Sequence, residues 1–324
     1  MKKRLISMAV AAAVAAPLAV QADDVEVRGF TDIIYTVTND ANSASEKSFG
    51  ADSEVDFIAS PADGVTARID LDLGLGTGAS EIEQAMFAWN IGGGPVTLVG
   101  GVFNNPMGAD EEDAPDINFT THSAVFNILD HQTTLNTGNN VAGVAVAAGT
   151  GIFTGTLAYL NDIGGVAEEN SIAVIIGLAP TQDIDLEFGY VTQDGDTFGQ
   201  PGGSNGVGNV WDINGTWNSI AGSGFQAGFD YLAAAEVVDA AWNVWAGFEF
   251  GQGFAVRGRY ESVALDLGAA DDPSKFALYG SWQARSNLLI ALEYGDGDSD
   301  GAADAVTGIN DGKLVTVEFI ATLP

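Results

Sequence analysis

The sequence has 324 residues, of which 44 are acidic and 11 basic, and its formal net charge is −33. Such a chain repels nucleic acid and draws cations. It contains no cysteine, which excludes disulfides and thiolate metal sites, and its two histidines, His122 and His131, poorly supply a multi-histidine zinc site or a histidine-based hydrolase.

The first 22 residues, MKKRLISMAVAAAVAAPLAVQA, read as a secretory signal: a basic start, an apolar stretch broken near its end by Pro17, and Val-Gln-Ala ahead of Asp23. Cleavage near Ala22 removes three basic residues and takes the net charge from −33 to near −36. Beyond the signal no apolar run reaches the roughly 18 residues of a spanning helix. Membrane insertion, if any, must therefore use β-strands closed into a barrel, the other structure that satisfies every backbone group in lipid.

Alternation of apolar and polar residues over about ten positions recurs along the chain. In VTARIDLDLGL, Val65, Ala67, Ile69, Leu71, Leu73 and Leu75 share one face, and Thr66, Arg68, Asp70 and Asp72 share the other. The pattern predicts sixteen strands, at 25–38, 53–60, 65–75, 82–91, 95–103, 139–148, 151–160, 171–179, 183–192, 209–218, 224–233, 241–250, 253–262, 275–284, 287–295 and 313–322. Aromatic residues gather toward the ends of these stripes, as interfacial girdles require. Trp245 and Phe103 are the exceptions expected to face inward. Short glycine- or proline-bearing turns alternate with longer acidic loops, the hairpin asymmetry of a transmembrane barrel, and an even strand count puts both ends on one side. A soluble β-sandwich with a wetted polar face is the competing fold.

The longest connection is the third loop, from about 104 to 138, which opens NNPMGADEEDAPDINFTTH. Loops this long are usually functional or disordered. Phe119, Val125, Phe126, Ile128 and Leu129 near its middle are too apolar for a solvated loop and predict packing against another surface. Six basic residues, Arg28, Arg68, Arg257, Arg259, Lys275 and Arg285, fall opposite the apolar stripes of their strands. They either build a positive wall inside a barrel or neutralise inward acids such as Glu26, Asp32, Asp70, Asp72, Glu249 and Glu261.

Two further patterns carry site chemistry. GDGDSDGAAD sets Asp296, Asp298, Asp300 and Asp304 around Gly301, like the first half of a calcium loop, though it lacks the downstream bidentate Glu and flanking helices. A structural Ca²⁺ there competes with a solvated acidic turn. His122 and His131, with Ser123, Asp116 and Asp130 nearby, raise a hydrolase, but no nucleophile motif such as G-x-S-x-G occurs, so no catalytic residue is expected.

The signal, the sixteen alternating strands, the hairpin asymmetry and the long acidic third loop together resemble the Gram-negative outer-membrane porins over nearly the whole chain. Locally, EQAMFAWNIGGGPVTLVGGVFNNPMG followed by DAPD is similar to porin barrels in which strand, tight turn and strand lead to an Asn/Thr-Pro-x-Gly step. The chain departs from the family's common aromatic ending, closing on VEFIATLP. The resemblance implies that the third loop folds into the lumen and narrows it, with Asp110, Glu111, Glu112, Asp113 and Asp116 as the acidic side of a constriction facing the basic wall. It also implies a water-filled, cation-preferring channel for small hydrophilic solutes, in contact with outer-membrane lipid and lipopolysaccharide. A homotrimer is implied too, with contact surfaces around Val141–Ala148 and Ile172–Leu178. The alternatives are a non-conducting structural or adhesive barrel and a soluble secreted calcium-binding β-protein.

Overall fold

The alternating segments become strands that pair each with the next. In the computed structural model they are β1 (Val25–Asp40), β2 (Lys47–Ala62), β3 (Val65–Asp72), β4 (Glu81–Asn90), β5 (Val96–Asn104), β6 (Asn140–Thr150), β7 (Phe153–Asn161) and β8 (Asn170–Thr181). The second half follows as β9 (Ile184–Val191), β10 (Val210–Trp217), β11 (Phe225–Ala234), β12 (Val238–Glu249), β13 (Phe254–Leu265), β14 (Ser274–Arg285), β15 (Leu288–Asp298) and β16 (Gly312–Thr322). The structure describes residues 25–40, 45–73, 81–132, 139–164, 169–193, 207–266, 272–299 and 307–323. The expected signal peptide lies outside them.

All pairings are antiparallel, and β16 returns to β1 in register from Asp40↔Gly312 to Phe30↔Thr322, closing a sixteen-stranded barrel. Closure removes both sheet edges. Burial then separates a barrel from a soluble sandwich. Asp70, Asp212 and Glu293 are 0% exposed, whereas Leu157 is 58% and Leu278 51% exposed. The polar face points in and the apolar face points out, the reverse of a water-soluble fold and the arrangement of a barrel in lipid.

Aromatic pairs mark two levels on the outer face. Trp211 and Tyr231 (5.2 Å between centroids) and Trp242 and Tyr260 (5.6 Å) lie toward the long-loop rim. Phe225 and Phe248 (4.7 Å) and Phe254 and Trp282 (5.7 Å) lie toward the short-turn rim. Tyr231 lies six positions along β11 from Phe225, about 20 Å of strand at ~3.4 Å per residue, so the two aromatic levels flank an apolar band between them.

Several strand ends shift by about three residues, and two departures from the pattern are larger. β2 starts at Lys47, not near 53, because the long β1 stripe extends the ladder to Val37↔Lys47; KSFGADSE itself alternates poorly, and Lys47 becomes a strand residue. On the long-loop side, β11 and β12 are joined by only Ala235–Val237, with Val237 held at φ 66°. A tight turn there breaks the short-long rhythm.

β5 packs its backbone onto β4 at Gly101, whose φ is 129° and whose added Cβ would fall on the Ala85 carbonyl oxygen. Gly92, in the β4–β5 turn, has φ 64° and nothing within 4 Å of such an atom. Gly101→Ala should therefore destabilise the barrel by at least the ~1–3 kcal/mol of overpacking, on top of an unfavourable φ. Gly92→Ala should cost only about 1–2 kcal/mol. Denaturant midpoints of heat-modifiable folded protein compare the two directly.

Candidate functional site

The third loop is closed at its neck and carried into the lumen. Asn105 N–H donates to the Asn139 carbonyl (2.7 Å) and its side-chain amide to Asn139 Oδ1 (3.2 Å). Within the loop a helix the sequence pattern did not predict, α1 (Ala124–Gln132), starts at Ser123, whose Oγ accepts Phe126 N–H at 3.2 Å. A serine in this place satisfies one of the four orphan donors of a helix start. Asp110 Oδ2 accepts Ser123 N–H at 2.7 Å.

The apolar residues of the loop do what their composition predicts. Val125, Ile128 and Leu129 are buried in one cluster with Met107, Leu232 and Val263, so α1 lies against the inner faces of β11, β12 and β13. Phe119 joins Trp245, Ala277, Tyr279 and Ala291 in a second cluster. Trp245 and Phe103, expected inward, are both buried.

Wall carboxylates then fasten the loop backbone. Asp230 Oδ2 accepts Ala109 N–H (2.8 Å), and Glu261 Oε2 accepts Ala124 N–H (2.8 Å). Glu293 Oε2 accepts Thr120 N–H (2.7 Å) and Thr121 N–H (3.2 Å), and Glu318 Oε2 accepts the Thr120 hydroxyl (2.9 Å). Of these four acids the sequence reading named only Glu261. The signal for the others was their inward parity on alternating strands, which identifies the face but not the partner.

The predicted basic residues divide into two groups. Arg257, Arg259 and Lys275 lie against the loop: Arg257 donates to the Asn118 carbonyl (3.4 Å), Arg259 to the His122 carbonyl (2.9 Å) and Thr121 Oγ1 (3.1 Å), and Lys275 to Thr121 Oγ1 (2.9 Å). Arg259 also covers the Phe119 ring at 4.6 Å, a cation–π contact. Arg68 sits across the barrel on β3, beside Asp70. Arg28, paired with Glu26 at 2.7 Å, and Arg285, bonded to the Ala284 carbonyl at 2.8 Å, are exposed near the short-turn rim and do not join this wall. Strand parity placed them on the inner face, but their positions near the strand ends leave them in solvent.

The loop acids also separate. Asp110 turns to His122 Nδ1 (3.7 Å) and Ser123. Burial alone would raise its carboxyl, but the His122 contact, the Arg259 charge and the Ser123 N–H outweigh it and hold it below the ordinary range. Glu112 Oε2 accepts Asn139 N–H at 3.0 Å. Burial, with the charges of Glu83, Asp130 and Asp113, pushes its carboxyl up to about 8. Asp113 is raised by burial against the opposing pull of Glu54 and Arg68. Glu111 lies close enough to Glu187 on β9 to act on it electrostatically. Asp116 is exposed, in a turn closed by its N–H to the Asp113 carbonyl at 2.9 Å. The acid run therefore does not face the β13–β14 cations as one block: Asp110 points that way, and Asp113 points to the β2–β3 wall.

Between loop and wall is a cavity of about 300 Å³, lined by residues that include Thr121, His122, Lys275, Asp296, Asp311 and Lys313. Asp296 and Asp298 belong to β15 rather than to a loop, and Asp296 accepts the Tyr294 hydroxyl at 2.9 Å. Asp300 and Asp304 lie outside the described residues, as does the side chain of His131. Ser123, beside His122, uses its hydroxyl oxygen as the helix cap.

Glu261 also faces Arg259 Nε and Lys275 Nζ, each at 3.6 Å. Glu261→Ala removes the α1 anchor and leaves those buried cations without their carboxylate, a cost of about 3–5 kcal/mol. Limited proteolysis should then cut within 124–132 while the barrel still migrates as folded. For Glu112 the folded state holds the proton more tightly than the unfolded chain, so its stabilisation is complete below the ordinary 4.5 and is lost as pH rises through about 8. Glu112→Gln should melt with the wild type at about pH 5 and several degrees above it at about pH 9. Thermal melts at the two pH values read the crossover.

No family model matches the chain, and no curated protein matches it. Solved structures do. The high-pH structure of Pseudomonas putida OprB aligns at a TM-score of 0.71 and 9% identity, over 93% of this chain and 94% of that one. A triple mutant of the Rhodopseudomonas blastica porin aligns at 0.61 and 12% identity, over 93% of this chain and all of that one. A structure described as asymmetric conductivity of engineered proteins aligns at 0.63 and 13% identity with the same coverage. At identities this low the likeness is one of fold: this chain, a closed sixteen-stranded barrel with its third loop inside, has the fold of a porin.

Proposed function

We propose that the chain is a porin of the Gram-negative outer membrane, delivered there after cleavage near Ala22, and that it conducts small hydrophilic solutes and ions passively with preference for cations. The observation that carries this reading is the charge of the inner face. Asp32, Glu54, Asp70, Asp212, Glu293 and Glu318 are among its buried acids, while the inward cations Arg68, Arg257, Arg259 and Lys275 are each already bound to an acid or to the loop. A confined surface with excess fixed negative charge favours entry of cations and disfavours anions.

The outer face, with its two aromatic levels, suits lipid and the headgroup region of lipopolysaccharide. The flat stretches Val141–Ala148 and Ile172–Leu178 supply surface for a homotrimer, and the chemistry proposed is transport without catalysis. A structural, non-conducting barrel is the second reading. It is favoured by the apolar packing of α1 across the inner wall, which removes lumen volume.

Planar-bilayer recording of the purified protein across a potassium chloride gradient separates the two. Stable conductance steps with a zero-current potential shifted toward the cation Nernst value support the channel. A heat-modifiable, folded barrel without conductance supports the structural role. Recorded at about pH 9, where Glu112 also carries its charge, neutralising Glu111 and Glu112 together to glutamine should reduce the shift, and a shift unchanged by that pair would remove these two acids from the selectivity mechanism. Rising salt should weaken the contribution of exposed loop charges more than that of buried ones.

A further inference from the structure

On the wall away from the α1 anchors, the inner faces of β2 and β3 hold a group of acids packed more closely together than the charge argument of the channel reading requires. Asp56 and Asp70 stand directly opposite in the ladder, and Glu54 is two residues along on the same face. Like charges so placed repel. Glu54, Asp56 and Asp70 each offer a carboxylate oxygen, and these oxygens all lie within 4.8 Å of one another.

Arg68 is the neighbouring cation, and its geometry is one-sided. Its Nε is 2.6 Å from Asp70 Oδ2, whereas its terminal nitrogen is 3.5 Å from Asp56 Oδ1 and 3.7 Å from Glu54 Oε1. Glu54 is 5% exposed and Asp70 0%, and both Glu54 Oε1 and Asp56 Oδ1 are buried without a hydrogen-bond donor. The third loop brings a fourth carboxylate: Asp113 acts electrostatically on Glu54, Arg68 and Asp70, and its Oδ1 is likewise buried and without a donor. One guanidinium thus faces four acids. Buried anionic oxygens without donors are expensive, and convergent carboxylates are the ligand set of a hard divalent cation.

We propose that Glu54, Asp56 and Asp70 bind a Ca²⁺ ion, and that its charge draws the neighbouring Asp113 carboxylate of the third loop toward the β2–β3 wall. Calcium fits better than magnesium because it accepts six to eight oxygens in irregular geometry, whereas magnesium demands a near-ideal octahedron. The site is separate from the acidic segment at 296–304. It would hold the loop at β2–β3, across the barrel from the Asp230 anchor on β11, so that the loop is held from two walls.

The test is calorimetric titration of calcium chloride into the folded, chelator-stripped full-length protein in detergent, with folding verified by heat-modifiable migration. The wild type should bind one equivalent lost in Glu54→Gln/Asp56→Asn and retained in Asp296→Asn/Asp298→Asn. Asp113→Asn lies outside the barrel strands and leaves the ladder intact; it should weaken binding at least several-fold. Absence of binding to the wild type overturns the site, as does binding by the Glu54/Asp56 double variant or by Asp113→Asn that equals the wild type. Calorimetry reads ion binding and not conductance, so a failed site leaves the channel reading to the bilayer recordings.

Discussion

A closed wall with ionisable side chains on its inner face has to supply those groups with water or with hydrogen-bond partners, because burying them bare costs several kcal/mol each. That constraint organises this molecule. The outer face can be apolar because lipid accepts it, but the inner face cannot be left unsatisfied. Part of the answer here is the third loop, which brings backbone N–H groups and hydroxyls to Asp230, Glu261, Glu293 and Glu318. The loop is thus both filling for the lumen and counterpart for its charges.

The same constraint gives the inward cations their role. Arg257, Arg259 and Lys275 reach carbonyl and hydroxyl oxygens of residues 118–122, while Glu261 lies among them and accepts from the start of α1. This is an interlocked network in which charged groups of the wall hold neutral groups of the loop. Such an arrangement orders the loop without requiring a matching carboxylate for each cation. It leaves acids outnumbering bases on the inner face, and the proposed preference for cations rests on that imbalance.

Much of the barrel was legible because strand alternation has period two and the chain repeats it sixteen times. Ile69 against Asp70, or Leu292 against Glu293, announces two faces whatever surrounds them. Legibility failed where the local pattern was weak. Residues 47–52 are strand because β1 pairs with them, and the β11–β12 turn is tight because neighbouring loops hydrogen-bond to it: Glu236 N–H reaches the Val207 carbonyl at 2.8 Å and Val237 accepts from Asp266 at 2.9 Å. Helix α1 was missed for a similar reason. AVFNILDHQ is short, and its stability comes from Val125, Ile128 and Leu129 packing on the wall.

What the sequence by itself determined is the class of structure: sixteen alternating segments, no spanning helix, an acidic balance, and a third loop too apolar in its middle to stay in solvent. Those properties follow from local periodicity and composition, which need no knowledge of neighbours. Tertiary structure alone decided which way each acid of 110–116 turns, that Arg28 and Arg285 stay at the rim while Arg259 and Lys275 grip the loop, and that Glu54, Asp56 and Asp70 converge. Closure of the barrel brings β2–β3 and β13–β16 around one lumen, and contacts such as Thr120 to Glu318, 198 residues apart in the chain, exist only once that closure is made.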